Sequence, residues 1–161
     1  MNTPICDFVK KYLSDNMIRL HMPGHKGQTF LGSEPFDITE VSGADSLFEA
    51  SGIIKESEEN ASLIFNTSAT LFSTEGSSLS IRAMLCLAVK YALSNNQKPK
   101  ILAGRNAHKT FISAAALLDF SLSFIPEMEG TSYLSCSIDY TALEETIKKE
   151  HPTALYVTSP D

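Results

Sequence analysis

Cysteine is scarce in this chain of 161 residues: Cys6, Cys86 and Cys136 are odd in number and far apart. No C-x-x-C pair occurs, so neither a zinc knuckle nor a dithiol redox centre is written in the sequence. The three thiols read as reduced and the compartment as cytoplasmic. Basic residues are also in short supply, 13 Lys and Arg against 19 Asp and Glu, a net charge of -6. A nucleic-acid partner, which requires a basic face, is not expected. A small anionic ligand is not excluded, because backbone dipoles can hold one locally. Long apolar runs are missing as well. The longest, Leu79 to Leu93, is interrupted by Arg82 and Lys90 and is too short to span a bilayer, so no membrane association is expected. The N-terminus shows no basic stretch leading into an apolar core, hence no signal peptide. Common phosphate and nucleophile signatures are missing too: no G-x-G-x-x-G, no G-x-x-x-x-G-K-[ST] and no G-x-S-x-G.

What is present is the balance of a globular protein, 43% hydrophobic and 20% charged, in a chain long enough for a real core. Thr3-Pro4 reads as a helix start, with a helix to about Ser14 and Phe8, Tyr12 and Leu13 as its buried stripe. Residues 16–50 carry Pro23, Gly24, Gly27, Gly32, Pro35 and Gly43 and show no period; a stretch this long without regular structure is often functional. A helix is expected over 52–65, burying Ile53, Ile54, Ala61, Ile64 and Phe65. Then the pattern becomes regular. Strands are predicted at 69–74, 99–103, 121–126 and 153–158, and helices at 77–94, 108–119 and from Thr141 to about Glu150. Thr141 and Glu144 form a capping-box pattern. The helix at 77–94 is apolar nearly all round, which predicts burial on more than one side. Alternating strands and helices imply an α/β fold, a mostly parallel sheet with helices on both faces.

Three stretches carry candidate chemistry. In LFSTEGSSLSIRAML (71–85) a strand, a turn and a helix meet at Gly76, Ser77 and Ser78. The first amides of a helix lack intrahelical partners and sit at the positive end of its dipole. With a glycine for close approach and two hydroxyls, this turn could cradle a phosphate, or Ser77 could simply cap the helix. GRNAHKT (104–110) opens the next helix and would bring His108 to the same edge. Its ring could stack on an aromatic ligand, or the residue could be a surface histidine or cap partner. In LHMPGHKG (20–27), His21 and His25 are four apart, a metal spacing only on a helix, which Pro23 and Gly24 make implausible. A binding segment and an exposed polar loop both remain open there, and no metal is expected.

HMPGHKG, DITEVSGADSL (37–47), GIIKESEENA (52–61), TEGSS and RNAHKT follow one another as in the ornithine/lysine/arginine decarboxylases, and the chain resembles the bacterial group without an N-terminal wing domain over residues 19–161. The resemblance implies the aspartate aminotransferase fold, type I, and pyridoxal 5′-phosphate (PLP) as cofactor. It implies that Gly76, Ser77 and Ser78 hold the PLP phosphate and that His108, the catalytic candidate, stacks on the pyridine ring. Pro23, Gly24, His25 and Lys26 would belong to a loop near the active site and subunit boundary. Glu75 departs from the family, which more often has asparagine there; a carboxylate beside a phosphate must point away or pair with a cation. The family's pyridinium-pairing aspartate and Schiff-base lysine come later than TSPD. The expectation is therefore a fragment, inactive alone, of the large domain of a decarboxylase that releases CO2 from lysine, ornithine or arginine. Its expected organisation is an N-terminal helix and interface segment over 1–50 and the start of the PLP domain over 51–161, in a homodimer or a larger assembly. An aminotransferase or lyase on the same fold, or a stand-alone binding module, are the alternatives.

Overall fold

The computed structural model describes residues 2–128, 130 and 136–159, and divides by contact into two compact units, Met1–Phe72 and Ser73–Asp161. The expected division near residue 50 separated segments by role; the contacts divide the chain after Phe72.

In the first unit, α1 (Pro4–Ser14) starts with proline at its first position, and α2 (Ile53–Phe65) packs against it. Asp7 accepts from the backbone amide of Thr3 at 3.0 Å and from its hydroxyl at 3.0 Å, which closes the α1 start. A single 3-10 turn, Glu34–Phe36, interrupts the connection between the helices. Ile64 and Phe65, expected inside, are exposed. The buried member of α2 is instead Glu58, whose Oε1 accepts from the backbone amide of Phe72 at 2.8 Å.

Asp45 organises the chain ahead of α2. Its carboxylate accepts from the amides of Ser46 (2.8 Å), Ser51 (3.1 Å), Gly52 (2.8 Å) and Ile54 (3.0 Å). Two of these lie at the α2 N-terminus, where amides lack helical partners. Burial raises the Asp45 pKa, but the four amides together outweigh it and hold the carboxyl well below the ordinary carboxylate range. A depressed folded-state pKa stabilises fully above the unfolded value, about 3.9, and that contribution is lost as pH falls through the folded value. Asp45→Asn is therefore expected to be less stable than wild type at neutral pH, with the difference shrinking below about pH 4. Urea unfolding of both proteins across the acid range checks this; a pH-independent difference would speak against it.

The second unit is α/β. Helix α3 (Gly76–Ser94) precedes β1 (Lys100–Ala103), α4 (Lys109–Leu118), β2 (Ser121–Phe124), α5 (Tyr140–Glu150) and β3 (Ala154–Tyr156). The three strands pair in parallel in the order β2-β1-β3, with Leu102 opposite Ser123 and Leu155. Ile101 and Ala103 of β1 join Leu85 and Val89 of α3, Phe111, Ala114 and Ala115 of α4, and Phe120 in the core. Leu102 points to the opposite face and is also fully buried, so both faces of the central strand are covered, as strands of parallel sheets require.

Three further expectations are corrected. Residues 69–74 form no strand: apolar alternation needs a ladder partner, and the Phe72 amide is taken by the Glu58 side chain. The α5 cap is Asp139, accepting from the amides of Thr141 (2.9 Å) and Ala142 (3.1 Å), rather than Thr141; an aspartate one position ahead of the helix competes better for those amides. Helix α3 is buried along one stripe, Leu85, Val89 and Ala92, while Leu87 and Tyr91 are 69% and 65% exposed. No helix among the described residues is long and apolar enough to cross a membrane.

Candidate functional site

The start of α3 and the start of α4 meet at one edge of the second unit. Gly76 takes φ +63°, and a side chain there would meet nothing within 4 Å. The conformation, not crowding, selects glycine, and the space beside Gly76 is open. Ser77 is exposed and its hydroxyl makes no hydrogen bond among the described residues; the N-cap position is Glu75, without a side-chain cap. Simple capping by Ser77 is thus not what this turn does.

Ser78 is half-buried and its Oγ lies 3.1 Å from Oγ1 of Thr110. That oxygen is 2.9 Å from His108 Nδ1, and Nδ1 also accepts from the Thr110 backbone amide at 3.2 Å. Ser78, Thr110 and His108 thus form one hydrogen-bonded chain joining two helix starts. His108 is the N-cap of α4. An Nδ1 that accepts from an amide carries no proton, so the neutral ring holds its proton on Nε2. The ring is anchored at one nitrogen while His108 as a whole stays exposed.

The turn ahead of His108 is fixed by its own residues. Gly104 is buried, its amide donates to Tyr156 O at 3.0 Å, and a Cβ would come within 2.8 Å of the Asn106 side chain. This places GRNAHKT at the C-terminal end of β1, the edge where open α/β sheets bind ligands.

Glu75 does not face the open space unpaired. Arg82, two helical turns on, donates to its carboxylate at 2.5 Å and to Ser78 O at 3.3 Å. The residues present therefore suit a phosphate: free helix amides, an available hydroxyl and a neutralised neighbouring carboxylate.

Two residues escaped the sequence reading. Thr110, 6% exposed, links Ser78 to His108; the signal was a His-x-Thr start to a helix. Arg82, which neutralises Glu75, was readable from its spacing. Thr110→Val removes the shared hydroxyl at nearly constant volume and should cost about 1 kcal/mol of stability. Thr110→Ser should recover it, and denaturant unfolding of the pair distinguishes lost hydrogen bonding from altered packing.

Pro23, Gly24, His25 and Lys26 belong to the first unit. His25 Nδ1 accepts from the Gly27 amide at 3.0 Å and its Nε2 faces Asp37 at 3.3 Å. His21 is held by Tyr12 Oη, 2.8 Å from Nε2, and by Met22 O, 2.6 Å from Nδ1. Both rings are thus engaged within the first unit, His21 with α1 and His25 within the loop, and the described residues contain no cluster that could hold a metal ion. Gly24 is exposed, with open space around its Cα, and Pro23 O accepts from the Lys26 amide at 3.4 Å.

The sequence profile of the Orn/Lys/Arg decarboxylase major domain matches residues 3–154. The chain belongs to the Orn/Lys/Arg decarboxylase family. An arginine decarboxylase of Halalkalibacterium halodurans is 30% identical over 171 residues, covering 98% of this chain and 33% of that protein. An arginine decarboxylase of Bacillus subtilis is 28% identical, covering 98% of this chain and 34% of its own length. The chain thus spans about a third of the curated relatives it matches. The constitutive lysine decarboxylase of E. coli superposes with a TM-score of 0.63 at 18% identity, over 95% of this chain and 24% of that one. That likeness establishes the shared α/β fold, here part of a type I large domain.

Proposed function

We propose that this chain forms the N-terminal part of the large domain of a cytoplasmic, PLP-dependent decarboxylase acting on a basic amino acid, and supplies the phosphate and ring contacts of the cofactor site. The observation that carries the reading is the Ser78–Thr110–His108 chain, which brings an open helix N-terminus and an aromatic ring to one edge. Family membership supports it independently.

In this reading the amides at the start of α3 and the hydroxyls of Ser77 and Ser78 hold the phosphate, with the helix dipole stabilising its charge. Gly76 lets the backbone approach. Bound PLP supplies the electron sink for the bond broken at the substrate α-carbon. His108, anchored through Nδ1 to Thr110, presents its ring at a fixed orientation. Together, the ring of His108 and the amides and hydroxyls at the start of α3 would orient a cofactor held here. Arg82 holds the Glu75 carboxylate and limits its repulsion of the phosphate. Pro23, Gly24, His25 and Lys26 are assigned to the active-site and subunit-boundary loop.

The lysine and aspartate that complete such a site lie outside the motifs of this chain, so the 161-residue segment is expected to release no CO2 alone. The full-length protein decides the reaction: with PLP it should release CO2 from arginine, lysine or ornithine. Arginine comes first, because the two relatives at 28% and 30% identity are arginine decarboxylases. Keto-acid formation without CO2 release would instead mark an aminotransferase.

The exposed apolar side of α3, with Leu87 and Tyr91, supports association with a second copy or with further chain, since contiguous apolar surface is rarely left open. Light scattering of the dilute segment is expected to show a mass above the monomer; a clean monomer that binds no hydrophobic dye would count against it.

A further inference from the structure

The first unit contains a polar cavity of about 230 Å³ lined by Tyr12, Asn16, Arg19, Lys26, Gly27 and Pro35 among others. No Asp or Glu lines it. Arg19 extends over the Tyr12 ring, its guanidinium carbon 5.2 Å from the centroid, and donates through Nη2 to Pro35 O at 2.7 Å. Its Nη1 is buried and has no hydrogen-bond partner. A buried donor on a charged group left unpaired is costly. Among the described residues no carboxylate lies within ion-pair distance of Arg19 or Lys26.

The guanidinium sits where it does because Gly27 has no side chain. A Cβ at Gly27, whose φ is +77°, would lie 2.8 Å from both Cζ and Nη1 of Arg19. Lys26, the neighbouring residue, brings a second cation to the same cavity. Its Nζ donates to His21 O at 2.5 Å, and an ammonium group has two more protons to give.

We infer that Arg19 and Lys26 form a binding site for a small oxyanion, a phosphate or carboxylate group. Two cations and no acidic lining specify the charge. A guanidinium fork matches two oxygens of either group. The cavity is smaller than the about 300–1,000 Å³ of sites for drug-sized ligands, so it takes the anionic group rather than a large molecule. Leu13 in the last turn of α1 and Asn16 just beyond that helix also line the cavity, and the helix dipole disfavours an anion there; modest affinity is therefore expected. The site lies wholly in the first unit and does not depend on the cofactor reading of Gly76 and His108.

The test is a titration of the purified chain, followed on the Arg19 side-chain Nε–H and Gly27 amide resonances. Inorganic phosphate, acetate and chloride are added separately at matched ionic strength. Local reporters keep the outcome separate from any phosphate bound at Gly76. Saturable shifts with phosphate identify a phosphate site, saturable shifts with acetate alone a carboxylate site, and chloride should give none. Lys26→Gln should weaken binding by about tenfold or more, the loss of one charge-assisted hydrogen bond. Arg19→Gln and Gly27→Ala should abolish it on the remaining reporter. Shifts that stay linear and equal to chloride in both arms would overturn the site, as would unchanged affinity in Lys26→Gln, which leaves the Arg19 packing intact.

Discussion

In the full-length protein, His108→Ala is expected to loosen PLP by about tenfold, since an aromatic contact is worth about 0.5–1.5 kcal/mol beyond burial. The fall in kcat should be larger, because the ring would also hold the plane to which the breaking bond must stand perpendicular, and about 1.4 kcal/mol is tenfold in rate. The structure complicates this variant in a useful way. His108 caps α4, with Nδ1 accepting from the Thr110 amide, so alanine also removes a cap worth about 1 kcal/mol. Asparagine is a good N-cap without an aromatic face. His108→Asn is therefore expected to keep near-native stability while losing kcat and PLP affinity as alanine does. If His108→Asn turns over like wild type and only His108→Ala unfolds earlier, the histidine is a cap and nothing more.

Phe111→Ala should be the most destabilising single change in the second unit. Phe111 is fully buried, stacks on Tyr156 at 5.1 Å between centroids and tilts against Phe120 at 5.8 Å. It joins α4 to β3 and to the entry of β2. Truncating a buried phenylalanine costs about 3–5 kcal/mol through lost burial and the cavity left behind. Against a total domain stability of about 5–15 kcal/mol, much of the margin disappears. The effect should reach the site, because the helix Phe111 anchors carries His108 and Thr110 at its start. Denaturant unfolding by circular dichroism measures it, with Phe111→Leu as the milder control. A loss below about 1 kcal/mol would mean that α4 is held elsewhere.

Periodicity placed the five helices and three of the four predicted strands, because each has a local signature: Pro4 at a helix start, the Ile101–Ala103 run, the Leu122 alternation. It failed where the deciding partner is remote in sequence. Residues 69–74 alternate like a strand, yet Glu58 claims the Phe72 amide. Asp139 takes the α5 amides that Thr141 was expected to satisfy. Helix α3 reads as buried all round, but its sequence records apolar character and not what covers it; Leu87 and Tyr91 are exposed. Gly76, Ser78 and His108 were expected at one edge. They do share an edge, but the link runs between helix starts through Thr110, whose own sequence signal is only a small hydroxyl residue. Arg19 gave no signal at all, since an orphaned buried donor exists only once the loop around Gly27 has folded.

The most direct measurement is a crystal structure of the full-length protein grown with PLP. The cofactor phosphate is expected within hydrogen-bond distance, about 3 Å, of the amides and hydroxyls of Ser77 and Ser78, with the His108 ring lying flat on the pyridine. A cofactor bound elsewhere, with the α3 N-terminus open and His108 engaged only with Thr110, would contradict it.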